Sequence, residues 1–348
     1  MPIEIDDVAG GSDVQKARSP RSTSWNQAMK GSNINKLAIL FAATSVACFS
    51  TQTLAQTSKP SGGAHAHVLA AENKQTENIR LTRKSAAYWE VTFDNPPLNI
   101  IGPAEVRELV NILDQVEADP NVKVVVIDSA VPGYFIAHYD LLKPLEDSTG
   151  MKPGPTGMHP VPDLMVRLSR LKAVTIVSIR GRASGIGSEL ALAADMRFAS
   201  REKAVLSQFE VGAGFVPGGG PMARLPRLVG RGRAMEILIG ADDFNGELAE
   251  RYGYVNRALP DSELDSFVDA LARRIASFDQ EAIAETKNLV DLASLPPDAE
   301  MQPGWDAFIN SVQRPGAQAR VKALVNQGLQ QPGDVEKNLG HYTAKYEE

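Results

Sequence analysis

Two continuous runs of β-branched residues constrain the fold more than any other feature of this chain. They are VKVVVIDS at 122–129 and AVTIVSIRG at 173–181. Neither run alternates apolar with polar residues, which is typical of strands that are buried on both faces of a parallel sheet. A short strand pattern at 88–93 and a segment with an apolar helical face at 104–118 come before the first run. The order of these elements predicts an α/β fold with crossover connections.

The segment 29–55 has the organisation of a secretory signal peptide. Lys30 and Lys36 precede an apolar stretch from Leu37 to Phe49, and small residues follow up to Ala55. A basic start, a short apolar core and a small-residue end are the three parts of such a signal. The apolar stretch is shorter than the roughly 20 residues of a membrane-spanning helix, so no stable membrane span is expected. The sequence therefore predicts cleavage after Ala55 and a periplasmic or secreted protein, or a cytoplasmic one if the signal is not used.

The flanks of this segment lack any pattern of a folded domain. Residues 1–28 are polar and unpatterned, and we interpret them as a non-native or disordered extension ahead of a true start at Met29. Cys48, the only cysteine, allows lipoprotein-type processing as an alternative. Cleavage after Ala55 would remove it and leave a mature chain without cysteine or disulfide. Residues 56–78 are rich in Ser, Gly, Gln, Ala and Asn, which predicts a linker.

Several kinds of chemistry find little support in the sequence. The net charge of −6 gives no reason to expect nucleic acid as a partner. The glycines around Ile186 lack the third glycine of a dinucleotide site, and no Walker-type or Gly-x-Ser-x-Gly motif occurs. No histidine lies between His159 and His341, so no metal site is expected. Carboxylates and backbone amides remain as candidate catalytic groups.

Two acids stand beside glycine-rich turns in otherwise small and apolar surroundings. Glu189 lies in SGIGSELALAADMRFAS at 184–200, and Glu210 lies in SQFEVGAGFVPGGG at 207–220. Two carboxylates in one apolar pocket can divide the proton transfers of a reaction, since burial shifts their pKa values toward neutral pH. A plainer alternative for Glu189 is an acid that stabilises the N-terminus of a helix. The spacing alone does not decide between them.

From Val174 to Pro260 the chain resembles the enoyl-CoA hydratase/isomerase (crotonase) family. The matching pieces are VTIVSIRGRASGIGSELALAADMRFAS and the stretch from AVLSQFEVGAGFVPGGG to NRALP, preceded by NPPLN at 95–99, DPNVKVVVIDS at 119–129 and GYFIAHYDL at 133–141. The resemblance covers about 79–275 as a core and leaves 276–348 as a C-terminal helical region and tail. It implies a spiral of ββα turns and assembly as a homotrimer or hexamer.

The resemblance also implies a site and a substrate. Family members bind acyl-CoA thioesters, and no cofactor is expected beyond the CoA thioester itself as substrate. Glu189 and Glu210 match the two hydratase glutamates, and the backbone N–H groups of Tyr139 and Ile186 match the pair that stabilises the oxyanion. Glu210 is expected to supply a proton to the α-carbon while Glu189 assists attack of water at the β-carbon. Further substrate contacts are expected from Asn99, Ile136, His138, Asp140, Leu141 and Leu142.

The sequence departs from the family pattern at the walls of this site. Bulky His138 and Tyr139 stand where small residues are usual, Ile186 replaces a usual glycine, and Phe209 stands where proline is common. If position 186 needed a positive φ, isoleucine would hinder the approach of a thioester. These changes indicate an altered substrate or a lost activity.

Three functions follow as competing hypotheses. The glutamate pair favours a lyase that hydrates enoyl thioesters over an isomerase, which often keeps one of the two acids. The signal peptide and the altered walls favour an exported binding protein, since CoA does not cross membranes unaided. A hydrolase on the same fold is the third, and it lacks a suitably placed histidine. Of the remaining segments, Asp195 is expected to be a structural acid at a helix end, and the polar tail at 330–348 to be partly disordered.

Overall fold

Ten strands build two sheets in the computed structural model, which describes residues 78–346. The strands are β1 (Ile79–Arg83), β2 (Tyr88–Phe93), β3 (Val124–Ser129), β4 (Gly133–Ile136), β5 (Val174–Ile179), β6 (Gly181–Ser184), β7 (Met196–Ser200), β8 (Val205–Ser207), β9 (Asp243–Asn245) and β10 (Arg257–Leu259). One sheet has the order β1-β2-β3-β5-β7-β10, and the other has the order β4-β6-β8-β9.

Thirteen helices accompany these strands within the same residues. They are α1 (Pro103–Ala118), α2 (Leu145–Thr149), α3 (Pro160–Ser169), α4 (Ile186–Ala193), α5 (Pro221–Val229), α6 (Arg231–Gly240), α7 (Gly246–Tyr252), α8 (Asp261–Ala276), α9 (Gln280–Ser294), α10 (Gln302–Val312), α11 (Pro315–Gln327), α12 (Asp334–Lys337) and α13 (Leu339–Thr343). A 3₁₀ turn at Asp298–Glu300 precedes α10. The helices after α7 outnumber the strands there, which agrees with the expected C-terminal helical region.

The chain alternates between the two sheets as it advances. β3 lies in the six-stranded sheet and β4 in the four-stranded one, and the pairs β5–β6 and β7–β8 repeat this step. From β2 to β10 all neighbours in the larger sheet are parallel, and only β1 is antiparallel to its neighbour β2. Since helices follow these pairs, each repeat is a ββα turn. The predicted α/β fold with a ββα spiral is confirmed.

The buried β-branched runs explain why these strands are central. Val124, Val125, Val126 and Ile127 of β3 are all buried, because one face of the larger sheet packs against α1 and α3 and the other against α8. The second predicted run differs in one respect, since it divides at Arg180 into β5 and β6. The chain changes sheets at that residue, and the Arg180 side chain turns outward to bind Asp261 and Asp265.

The predictions for the N-terminal part lie outside the described residues. These are the extension at 1–28, the signal peptide at 29–55 and all of the linker at 56–78 except Asn78. The described residues belong to one compact unit, and the predicted boundary at 275/276 falls at the last residue of α8. Between residues 78 and 346, every helix is too short or too polar to span a bilayer.

Candidate active site

Glu189 lies in the first turn of α4, directly after a sharp turn that follows β6. The turn is made by Gly185, whose φ of +52° lies in the region that favours glycine. The Glu189 N–H donates to the Gly185 carbonyl at 2.9 Å, which closes the first turn of the helix. All residues of α4 are buried, and the Glu189 side chain is only 3% exposed. The helix thus carries the carboxylate into the core rather than to the surface.

Glu210 comes from the loop after β8 and reaches the same turn. Its residue is 5% exposed, and the Phe215 N–H donates to its carbonyl at 3.0 Å. The carboxylate packs against Gly185, where an added Cβ would lie 2.7 Å from Glu210 Oε1. Glycine is therefore required at 185 both for its backbone angle and for the space that Glu210 occupies.

The glycine turn at 218–220 packs against the other carboxylate. An added Cβ at Gly219 would lie 2.3 Å from Glu189 Oε2. Gly218 approaches the rings of Trp305 and Phe308 in the same way. Of the two roles that a glycine turn allows, binding phosphate or close backbone packing, these contacts support packing around Glu189.

One small cavity joins the two carboxylates to both predicted oxyanion residues. Its volume is about 30 Å³, which is room for about one water molecule. It is lined by Tyr139, Leu141, Val161, Ile186, Glu189, Phe209, Glu210, Phe215, Gly218, Gly219, Trp305 and Phe308. Five of the predicted site residues are thus brought together in mostly apolar surroundings.

Each of the two glutamates has one buried carboxylate oxygen that accepts no hydrogen bond from the described residues. Within residues 78–346, Glu189 Oε1 and Glu210 Oε2 have no hydrogen-bond partner. A buried acceptor without a partner is costly, and such groups are rare in folded proteins. Two of them at one water-sized cavity form a site that can hold a water molecule between them.

Burial shifts the proton affinity of both carboxyl groups upward. It raises the pKa of Glu189 to about 7, and the backbone N–H groups of Gly219 and Gly218 partly oppose this shift. Burial also raises the pKa of Glu210 well above its usual value, and the charge of Glu189 adds to the effect. Because two close carboxylates cannot easily ionise together, the pair holds a proton near neutral pH.

These raised pKa values predict a stability that falls as pH rises. The folded state binds more protons than the unfolded chain between about pH 4.5, the unperturbed pKa, and about pH 7, the folded pKa of Glu189. The contribution of these two carboxyl groups to the free energy of unfolding is therefore full below that window and decreases across it, by up to about 1.4 kcal/mol per pH unit for each carboxyl. Urea denaturation of the parent and of the Glu189→Gln/Glu210→Gln double variant measures this. Parallel curves for the two proteins across the window would contradict the prediction.

Within residues 78–346, the N–H groups of Tyr139 and Ile186 are not used by the neighbouring backbone. A bridge between Ile101 and Tyr139 uses the His138 carbonyl and the Asp140 N–H, so the Tyr139 N–H takes no part in it. Ile186 is the first residue of α4, and its N–H has no acceptor within the helix. Ile186 does not have the backbone strain that a positive φ would cause, because the positive φ belongs to Gly185. The oxyanion role of both amides stays a prediction.

The other predicted substrate contacts do not line this cavity. Asn99 donates to Ser129 Oγ at 2.8 Å and to the Phe135 carbonyl at 2.9 Å, so it ties its loop to β4. Ile136 is fully buried in the core, and Leu142 is largely exposed. Asp140 accepts from the Leu142 N–H, and His138 is buried against Glu336. A substrate-binding role for these five residues stays a prediction.

Sequence reasoning missed the aromatic cover of the cavity. Trp305 and Phe308 of α10 close it, and the His159 ring stacks on Trp305 with 3.9 Å between ring centroids. His159 Nε2 bonds the Ser148 carbonyl, and Ser148 Oγ bonds the Tyr139 hydroxyl at 2.8 Å. The sequence does contain a pattern that could have indicated this cover: Trp305 and Phe308 are three residues apart, and residues at i and i+3 of a helix share one face.

A larger cavity of about 750 Å³ lies elsewhere and contains neither glutamate. It lies between α9 and the region around Asp195, Arg224 and Leu228 and is partly open to solvent. Asp195 accepts from the Thr175 N–H and hydroxyl and pairs with Lys287, which supports the predicted structural role of this acid. Residues 78–346 contain no group of three or more His, Cys, Asp and Glu side chains arranged to hold a metal ion.

Comparison with known proteins identifies the family of this chain. Residues 83–303 match the enoyl-CoA hydratase/isomerase family. A short-chain-enoyl-CoA hydratase of Clostridium acetobutylicum is 31% identical over 217 residues, which cover 62% of this chain and 81% of that protein. A crotonyl-CoA hydratase of Syntrophomonas wolfei is 32% identical over 215 residues, covering 61% and 80%.

Among solved structures, a Streptomyces avermitilis protein described as an enoyl-CoA hydratase is similar over most of its length. It shares 42% sequence identity and a TM-score of 0.75, and the match covers 78% of this chain and 98% of that one. The family match spans well over half of the chain. The chain therefore belongs to the enoyl-CoA hydratase/isomerase family and has its crotonase fold.

Proposed function

We propose that this protein hydrates 2-enoyl-CoA thioesters by a two-glutamate mechanism. The observation that carries the proposal is the pair of buried carboxylates, Glu189 and Glu210, each with one free oxygen at the same water-sized cavity. The family acts on acyl-CoA substrates, and the two relatives named above are hydratases. Two acids support hydration over double-bond migration, which needs a proton carrier but no positioned water.

In the proposed reaction the water lies between the two glutamates. The ionised Glu189 takes a proton from the water while the water oxygen forms a bond to the β-carbon. The protonated Glu210 delivers its proton to the α-carbon, and the double bond is consumed. A proton then passes from Glu189 back to Glu210 for the next turnover. Raised pKa values suit both tasks, since one group must be protonated and one ionised near neutral pH.

Negative charge develops on the thioester oxygen during this addition. The N–H groups of Tyr139 and Ile186 would donate to that oxygen, and removal of one such donor costs about 10²- to 10³-fold in rate in other enzymes. The mechanism uses only carboxyl groups and backbone amides of this chain. The cavity has room for a water molecule but not for an acyl chain, so entry of the substrate requires the covering side chains of Trp305 and Phe308 to move aside.

Assembly as a homotrimer or hexamer is part of the proposal. Its support is α9, which has no buried residue in the single chain. Leu289 and Leu292 on this helix are 67% and 76% exposed. Large apolar side chains exposed together mark surfaces that a partner covers.

The test is a spectrophotometric hydration assay with the full-length protein. Crotonyl-CoA and a longer 2-enoyl-CoA serve as substrates, and loss of the absorbance of the conjugated thioester reports hydration. We expect turnover of at least one of them. Absence of turnover together with absence of CoA binding in calorimetry would overturn the proposal in favour of an exported binding protein. Binding with conversion of a 3-enoyl-CoA instead would favour an isomerase.

A further inference from the structure

The segment after α11 reaches back to the loop that carries Tyr139. Gln330 Oε1 accepts from the Leu141 N–H at 2.7 Å, and Gln330 Nε2 donates to Asp140 Oδ1 at 2.9 Å. Gln330 has a φ of +63°, an uncommon conformation for a residue other than glycine. Its own N–H donates to Glu336 Oε1 at 2.6 Å, so the two residues of the segment are linked to each other. The side-chain amide of Gln330 thus contacts the loop through both of its polar atoms.

Glu336 holds the same loop from a second side. Its Oε1 lies 3.0 Å from His138 Nε2, and both side chains are 0% exposed. His138 Nδ1 lies 2.7 Å from the Tyr139 carbonyl oxygen. With both ring nitrogens protonated, the imidazolium donates to Glu336 on one side and to the backbone of Tyr139 on the other.

The orientation of the Tyr139 N–H depends on the two peptide planes that meet at the Tyr139 Cα atom. The peptide before Tyr139 is held by the bond from the Ile101 N–H to the His138 carbonyl at 3.1 Å. The peptide after it is held by the bond from the Asp140 N–H to the Ile101 carbonyl at 2.8 Å, and by the His138 ring on the Tyr139 carbonyl. The Tyr139 N–H lies in the first of these planes, so the bond from Ile101 sets its direction, and the contacts of the second plane limit how far the first can rotate.

Each member of the buried pair favours the ionised form of the other. Burial alone lowers the pKa of His138, but the charge and hydrogen bond of Glu336, with the Tyr139 carbonyl and Asp140, raise it above its usual value. Burial alone raises the pKa of Glu336, but His138, the Gln330 N–H and Arg182 lower it below its usual value. Buried ion pairs contribute little net stability, whereas they can fix one conformation. The pair is therefore better suited to holding the loop than to stabilising the fold.

We propose that Gln330 and Glu336 are positioning residues that hold the Tyr139 N–H in its catalytic direction, through Asp140, Leu141 and His138. This proposal rests on the proposed hydratase function. Neither residue lines the cavity, so each acts through the loop. A donor that is already directed at the developing charge needs no reorganisation during the reaction, and this is the source of its effect on rate.

The test compares Gln330→Ala and Glu336→Gln with the parent in the full-length protein. We expect kcat for crotonyl-CoA hydration to fall by about 10- to 100-fold while KM changes less than about threefold, because the oxyanion contact is strongest in the transition state. Glu336→Gln keeps an oxygen for the Gln330 N–H and removes the charge, and Gln330→Ala leaves the buried ion pair intact. Asp334→Asn is the matched control, since Asp334 is exposed on α12 and, within residues 78–346, its carboxylate accepts hydrogen bonds from Asn338 and Tyr342.

A second measurement keeps the test independent of turnover. Amide hydrogen exchange of the loop at 138–142 should be about tenfold faster in both variants than in the parent and the Asp334→Asn control. The proposal would be overturned if the loop exchanged at the same rate in the variants as in the parent. It would also be overturned if the loss of kcat were no larger than the fraction of unfolded protein in each variant. If the parent itself shows no hydration, the proposed function fails, and the exchange rates still decide whether Gln330 and Glu336 order the loop.

Discussion

Replacing Glu189 with Gln is expected to lower kcat for crotonyl-CoA hydration by about 10²- to 10⁴-fold, the range that general acid–base groups supply. Glutamine has the same shape and keeps a hydrogen-bonding oxygen, but it cannot take the proton from the attacking water. Glu210→Gln should lose a comparable factor, because its amide cannot deliver a proton to carbon. Steady-state kinetics on both variants measure this, with thermal unfolding as a check that each variant is folded.

The double variant and one control make this prediction sharper. Because both glutamates serve the same addition step, Glu189→Gln/Glu210→Gln should lose little more activity than either single variant. Glu247→Gln is the matched control, since Glu247 is an exposed acid in the first turn of α7, as Glu189 is a buried acid in the first turn of α4. If Glu189→Gln keeps its activity and loses only stability, Glu189 is a helix-end acid and not a catalyst.

The parts of the site that local sequence determines were predictable. Glu189 follows a buried strand and a glycine turn, and Glu210 follows the next strand of the smaller sheet, so the parallel pairing of β6 and β8 brings both to one edge. The helix at 103–118 and the strand at 88–93 also appear as expected, because their apolar periodicity matches the faces that they bury. In these cases the residues that form the local sequence pattern are also the ones that the tertiary structure buries or brings together.

The C-terminal contribution could not be predicted, because no local pattern marks it. The tail at 330–348 is polar, and its expected disorder is wrong for α12 and α13. Val335 and Leu339 pack into the core, and Glu336 is buried beside His138, a partner that is 198 positions away in the sequence. A charge that is buried by a remote partner is indistinguishable in sequence from a solvated one.

Replacing Gly219 with Ala is expected to lower kcat by about 10²-fold without removing any catalytic group. The added Cβ would lie 2.3 Å from Glu189 Oε2 and 2.8 Å from its carboxyl carbon, so the carboxylate must shift. Displacement of a reacting group by about 1 Å can cost about 10²-fold in rate. Gly219 does not have a positive φ, so the variant tests the space around Glu189 and not backbone strain.

Gly232→Ala is the matched control for this prediction. A Cβ at Gly232 meets no atom within 4 Å, and alanine is favoured over glycine inside a helix such as α6. We expect the control to keep full activity with equal or higher thermal stability, while Gly219→Ala loses kcat. Full activity of Gly219→Ala would mean that hydration does not require Glu189 where it lies, even if Glu189→Gln were inactive. The glutamine variants thus ask whether the carboxyl groups are needed, and the alanine variant asks whether their position is.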